Sequence, residues 1–136
     1  MEMLGEGQAL LEQKKWDEAL AVYRAAVEEG GPEMSGAAWA MIGVVENMKA
    51  GGRPCEAAYA PFKRSVELDP NNAHAHLGLG GVLRVRKNDI RAEKHYRAAI
   101  RLDPMDAFAH AGLAGVLKER GDFDGAIREA LEYVRK

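Results

Sequence analysis

Few side chains in this sequence are spaced to do covalent chemistry. His74 and His76 stand two residues apart, which on a helix turns them to different faces, so a metal site built on them has to recruit His110 from elsewhere. Cys55 is the only cysteine, and neither an internal disulfide nor a cysteine-based zinc site can be assembled around it. It falls in a glycine-rich stretch and is expected as an exposed, unremarkable thiol. His95, beside Lys94 and Arg97, is expected on a solvated outer surface. The carboxylates of Glu28-Glu29 and of Asp122 and Asp124 offer an acid and a base, yet they sit where helical patterns begin or end. Capping and complementing the helix dipole are their expected uses there. No glycine-rich phosphate loop, no His-Glu-x-x-His arrangement and no nucleophile signature is present. The sequence therefore predicts no catalytic residues, no metal and no cofactor.

The elements that carry these side chains read as helices. Of the 136 residues, 47% are hydrophobic and 29% charged, with only three Phe, two Trp and four Tyr, a composition that favours helices over a strand sandwich. The length fits one domain of the usual ~100–200 residues. A net charge of −2 hides an uneven distribution: residues 1–72 carry 7 basic and 12 acidic side chains, residues 73–136 carry 12 and 9. With a pI of about 6.1 and no basic block interleaved with aromatics, no nucleic-acid partner is expected. The first residues lack a basic segment followed by an apolar one, and no apolar run approaches the ~18–20 residues of a membrane span. A cytoplasmic location without membrane insertion is the expectation.

The informative feature is an internal repeat. Leu68-Asp69-Pro70 recurs 34 residues later as Leu102-Asp103-Pro104, and the same shift carries Ala73-His74-Ala75-His76 onto Ala107-Phe108-Ala109-His110 and Gly81-Val82-Leu83 onto Gly115-Val116-Leu117. Within a unit, apolar residues come at helical spacing, Leu79 and Leu83 and then Ala92, Tyr96 and Ala99, with a polar break at Lys87-Asn88-Asp89. Each unit reads as two helices and a tight turn. The proline after Asp closes the second helix, and Asn72 or Asp106 just beyond it can cap the next first helix.

These residues resemble the tetratricopeptide repeat family, whose unit is a 34-residue helix-turn-helix with small and large residues at set places. The matching places include Trp39, Ile42, Gly43, Ala58 and Phe62; Leu79, Gly80, Ala92 and Tyr96; Leu113, Ala114 and Ala126. The resemblance covers residues 1–136 and implies an all-α, right-handed superhelical solenoid, a single array of about four repeats at residues 1–35, 36–72, 73–106 and 107–136. Departures are expected to matter locally. The second unit is 37 residues long, its turn at Ala50–Cys55 holding three extra residues; Pro61 falls inside its second helix and is expected to kink it. His76 and His110 stand where the family has a bulky aromatic, and looser packing of their helices is expected.

In the family the first helices of successive units line a concave groove, so the resemblance implies a peptide-binding surface. In the second unit its residues would be Ala37, Ala40, Met41, Val44, Asn47 and Met48. The third unit would add His74, Leu77, Gly78, Gly81, Arg84 and Val85, and the fourth Phe108, Ala111, Gly112, Gly115 and Lys118. Methionines over an open glycine floor suit an apolar face of a helix or extended segment, with Arg84, Arg86, Lys87 and Lys118 steering an acidic flank. The Lys, Asn and Arg clamp used by family members that hold the acidic tails of the Hsp70 and Hsp90 chaperones is missing from its places, where Leu4 and Gln8, Met41, and His74 and Gly78 stand or, one unit later, Ala40 and Val44, Gly78, and Phe108 and Gly112. The expected function is thus a scaffold or adaptor for another protein and not a carboxylate-clamp co-chaperone. Ile127, Leu131 and Val134 form an apolar stripe on the last helix, which sets up a second expectation, a homo-oligomer assembled through uncapped ends. A third is an accessory domain of a larger enzyme.

Overall fold

The computed structural model describes residues 2–135 as helices and turns, with no strand among the described residues. Among the described residues eight α-helices follow one another: α1 (Glu2–Glu12), α2 (Trp16–Glu29), α3 (Pro32–Lys49), α4 (Tyr59–Leu68), α5 (Ala73–Val85), α6 (Asp89–Leu102), α7 (Ala107–Glu119) and α8 (Phe123–Arg135). A three-residue 3-10 turn, Glu56–Ala58, leads into α4. Each helix packs on the next in sequence; in addition α3 touches α5, and α5 touches α7. The result is an all-α helical-repeat solenoid in which α3, α5 and α7 form one layer.

Local sequence sets the reversals. Between the two helices of a pair the backbone passes through the left-handed region at Lys14 (φ 58°), Lys87 (φ 63°) and Gly121 (φ 86°), the last two being 34 residues apart. The following first helices are capped as expected: Asn72 Oδ1 accepts from the Ala75 amide at 3.1 Å, and Asp106 Oδ1 from the Phe108 amide at 2.9 Å. Asp122 caps α8 in the same way, accepting from the Gly125 amide at 2.8 Å. Pro32 occupies the first position of α3, where a missing amide donor costs nothing.

Packing turns on an aromatic residue in each of the first three second helices. Tyr23, Phe62 and Tyr96 are buried, and each ring lies over a glycine of its own first helix, at Gly7, Gly43 and Gly80. A methyl on Gly43 would come 2.7 Å from the Phe62 ring, and one on Gly80 2.9 Å from the Tyr96 ring. The same two rings also cover glycines of the following repeat: a methyl on Gly78 would collide with Phe62, and one on Gly112 with Tyr96. Ala58, at the end of the 3-10 turn before α4, and Ala92 on α6, both fully buried, provide the small partners. Ser65 is buried where the third repeat has Ala99, and its hydroxyl donates to the Gly36 carbonyl at 2.7 Å.

Two expectations change. Pro61 does not kink a helix interior, because the 3-10 turn moves the start of α4 to Tyr59 and leaves Pro61 in its first turn, where no intrahelical amide bond is required. His76 and His110 do not loosen their helices. Both are buried, and their Nε2 atoms donate to the carbonyls of Pro70 and Pro104, each at 2.8 Å.

Ring seating predicts opposite signs for two glycine-to-alanine changes. Gly5 has open space around it, so Gly5→Ala should raise stability by about 0.5–1 kcal/mol. Gly112→Ala drives a methyl into Tyr96 and should lower stability by about 1–3 kcal/mol. Urea unfolding midpoints of the two variants against the parent chain check this.

Candidate functional site

The layer made by α3, α5 and α7 holds a recess of about 400 Å³, within the ~300–1,000 Å³ usual for ligand pockets. Val44 and Asn47 come from α3, His74, Leu77, Gly78, Gly81 and Arg84 from α5, and Phe108, Ala111 and Gly112 from α7. Ten residues of the expected groove therefore meet at one recess. Its floor, however, is not open glycine. Phe62 and Tyr96 line it, because the glycines at 78 and 112 are the seats of those rings, and the small residues make room for aromatic ones from the second helices. The sequence signal for this floor was the 34-residue spacing of Phe62 and Tyr96.

The remaining expected groove residues lie elsewhere. Ala40 is 2% exposed and belongs to the central core, since its side of α3 faces α4 and α5. Met41 packs against the cluster of Leu11, Leu20 and Tyr23 and so belongs to the first helix pair rather than to the recess. Gly115 is covered by the Arg84 guanidinium, which occupies the space a side chain there would need. Val85 borders a smaller neighbouring recess, with Pro54, Lys87 and Glu119. Ala37, Met48 and Lys118 border neither: Met48 and Lys118 are exposed and Ala37 half-buried.

Charge at the trough is already partly matched. Arg84 Nε donates to Glu119 across the gap between α5 and α7. Burial alone would pull this guanidinium down, but the Glu119 carboxylate holds it above its ordinary range. Arg86 is paired with Glu56 and lies 3.8 Å above the Tyr59 ring, so two of the four cations expected to steer a ligand have partners in the chain. Burial also raises the Tyr96 hydroxyl above its usual value. The trough thus presents an apolar surface with one positioned cation, Arg84, and no carboxylate on the main recess.

Three of the histidines, His76, His95 and His110, are held in contacts between helices. With both rings neutral, His76 Nε2–H is committed to the Pro70 carbonyl, and its Nδ1 accepts from His95 Nδ1–H at 3.0 Å. His95 is therefore half-buried against His76 rather than solvated. One repeat later Glu129 stands where His95 would be, and His110 Nδ1 is hydrogen-bonded to Glu129 Oε1 at 2.6 Å. His74 is exposed on the trough side, away from His76, and no group of three metal-ligating side chains occurs among the described residues. Cys55 is half-buried against the central core rather than exposed, because the turn that carries it folds inward.

An all-α solenoid of paired helices with a side-chain-lined trough defines a helical-repeat protein. Residues 4–73 and 91–136 match the family model described as Tetratricopeptide repeat, and the chain belongs to that family. The crystal structure of MamA superposes with a TM-score of 0.77 at 19% identity, the match covering 98% of this chain and 75% of that one. YrrB, described as a TPR protein with an unusual peptide-binding site, gives 0.74 at 21%, over 98% of this chain and 66% of its own. The structure of Naa15/Naa10 bound to HypK-THB gives 0.76 at 20%, over 98% of this chain but only 19% of that one. At these identities the likeness is one of fold. No curated protein sequence matches the chain.

The histidine pair predicts a pH dependence. Burial, and then His76, Lys94 and Arg91, depress His95 from 6.5 to about 4. Between those two values the unfolded chain binds a proton that the folded chain refuses, so the contribution of His95 is full above pH 6.5 and is lost as pH falls toward 4. The melting temperature of the parent chain should therefore drop more steeply over this window than that of His95→Gln; parallel slopes would contradict the assignment.

Proposed function

We propose that this chain is a non-catalytic interaction module that holds a peptide or helical segment of another protein in the trough between α3, α5 and α7. The observation that carries the reading is the 400 Å³ recess shared by three successive repeats, whose lining is apolar except for Asn47, His74 and Arg84. Apolar burial would supply most of the affinity, at about 25 cal/mol per Å² before ordering costs. Lys87, which borders the adjoining smaller recess beside the Arg84–Glu119 pair, favours a segment with an acidic residue beside its apolar anchor. Phe108 extends the surface, since its ring is 79% exposed at the rim. The peptide-binding site in YrrB's description is support by likeness of fold.

A photo-crosslinking residue at Phe108 and another at Lys94, which is exposed on α6, separate trough from outer surface. In an extract of the source cells the Phe108 probe should capture a discrete partner that Ala111→Glu abolishes, and the Lys94 probe should not. Adducts from Lys94 alone would place the contact on the other face and end the reading.

A second reading, self-association through α8, is favoured by one observation: Ile127, Leu131 and Val134 are 58%, 51% and 78% exposed on a helix whose first residue, Phe123, is also exposed. Light scattering after gel filtration, over a hundredfold concentration range, should then show mass rising above one chain, with Leu131→Glu restoring the monomer. A constant mass of 14.8 kDa would remove this reading.

A further inference from the structure

The stretch between α3 and the 3-10 turn is twice as long as the turns within the other helix pairs. Three residues, Arg86–Asn88, link α5 to α6, whereas six, Ala50–Cys55, precede the 3-10 turn in the second repeat. The extra length is not spread into solvent. Pro54 packs on α5 so closely that a methyl on Gly81 would come 3.0 Å from its Cγ, and Gly52 and Pro54 line the main recess beside Val44 and Leu77.

The turn is held in that place at both ends. The Gly52 amide donates to the Asn47 carbonyl at 2.9 Å and the Cys55 amide to Asn47 Oδ1 at 3.0 Å, while Glu56 is paired with Arg86 at the end of α5. Gly51 and Gly52 lie at φ +89° and +83°, which ordinary side chains rarely adopt, so the inward path depends on glycine. Pro54 and Arg84 are common to the main recess and to a smaller one of about 260 Å³ bordered by Val85, Lys87 and Glu119. They stand as a partition across the trough. Beyond it Lys87 stands beside the Arg84–Glu119 pair.

We propose that the turn Ala50–Cys55 is a wall of the binding trough that sets the register of the bound segment, admitting one large apolar side chain on its near side and an acidic residue beyond it. This rests on the trough being the binding surface. A long apolar run would have to cross Pro54 and is excluded; a segment with a single anchor followed by a carboxylate reaches Lys87 without displacing the turn.

The test is selection of a phage-displayed library of random twelve-residue peptides on the native chain, on a chain lacking Gly51, Gly52 and Arg53, and on Pro54→Gly, each checked for helix content and melting temperature. The native chain should enrich peptides with one large apolar residue near an acidic one. The two altered chains should enrich longer apolar patterns and bind the native-selected peptide at least tenfold more weakly. Should the deletion fail to fold, Pro54→Gly decides alone. Identical consensus sequences and affinities within twofold would overturn the wall while leaving the trough intact, provided Ala111→Glu still blocks binding. Peptides that bind Ala111→Glu as well as the native chain, or no enrichment at all, would overturn the trough reading and the wall with it.

Discussion

Phe62 and Tyr96 each have to be seated twice, once on a glycine of their own first helix and once on a glycine of the next. This double seating is the constraint from which the remaining architecture follows. A ring that fills the space between two successive first helices fixes their separation, and with it the position of each repeat relative to the last. Because the rings come from the second helices but reach through to the opposite layer, they also become the floor of the trough. One packing element thus supplies both cohesion between repeats and the apolar surface on which binding is proposed.

That dual use explains what the sequence made legible and what it concealed. The 34-residue recurrence of Leu-Asp-Pro and of the small and large apolar positions made the paired helices legible, because turn chemistry and helical period are local properties, but not every boundary: α3 starts at Pro32, four residues before the expected second unit. Ten trough residues followed from the same register. The nature of the floor did not, since the glycine at 78 or 112 looks the same in sequence whether it faces open space or a ring arriving from another helix. Ala40 and Met41 were misplaced for a related reason: a period of 3.6 residues says which side of α3 they occupy but not how far the neighbouring helices wrap around it.

Other differences arose where a contact joins residues distant in the chain. His95 reads as a solvated residue among Lys94 and Arg97, and only the approach of α5 brings His76 within 3.0 Å of it. The comparison with His110, which meets Glu129 at the equivalent place, shows one geometric slot filled by two chemistries, with the proline carbonyl retained in both. Likewise the kink expected at Pro61 does not form, and the 3-10 turn before it that prevents this leaves no distinct mark in the sequence.

The six residues from Ala50 to Cys55 lie outside the ring-and-glycine seams, yet they touch the same surface those seams create. Lengthening a surface loop costs little, about 0.6 kcal/mol per doubling of length. The floor of the trough is therefore tied to the seams that hold the repeats together while its edge is not, and a mutation at that edge can reshape what fits with the seams left in place.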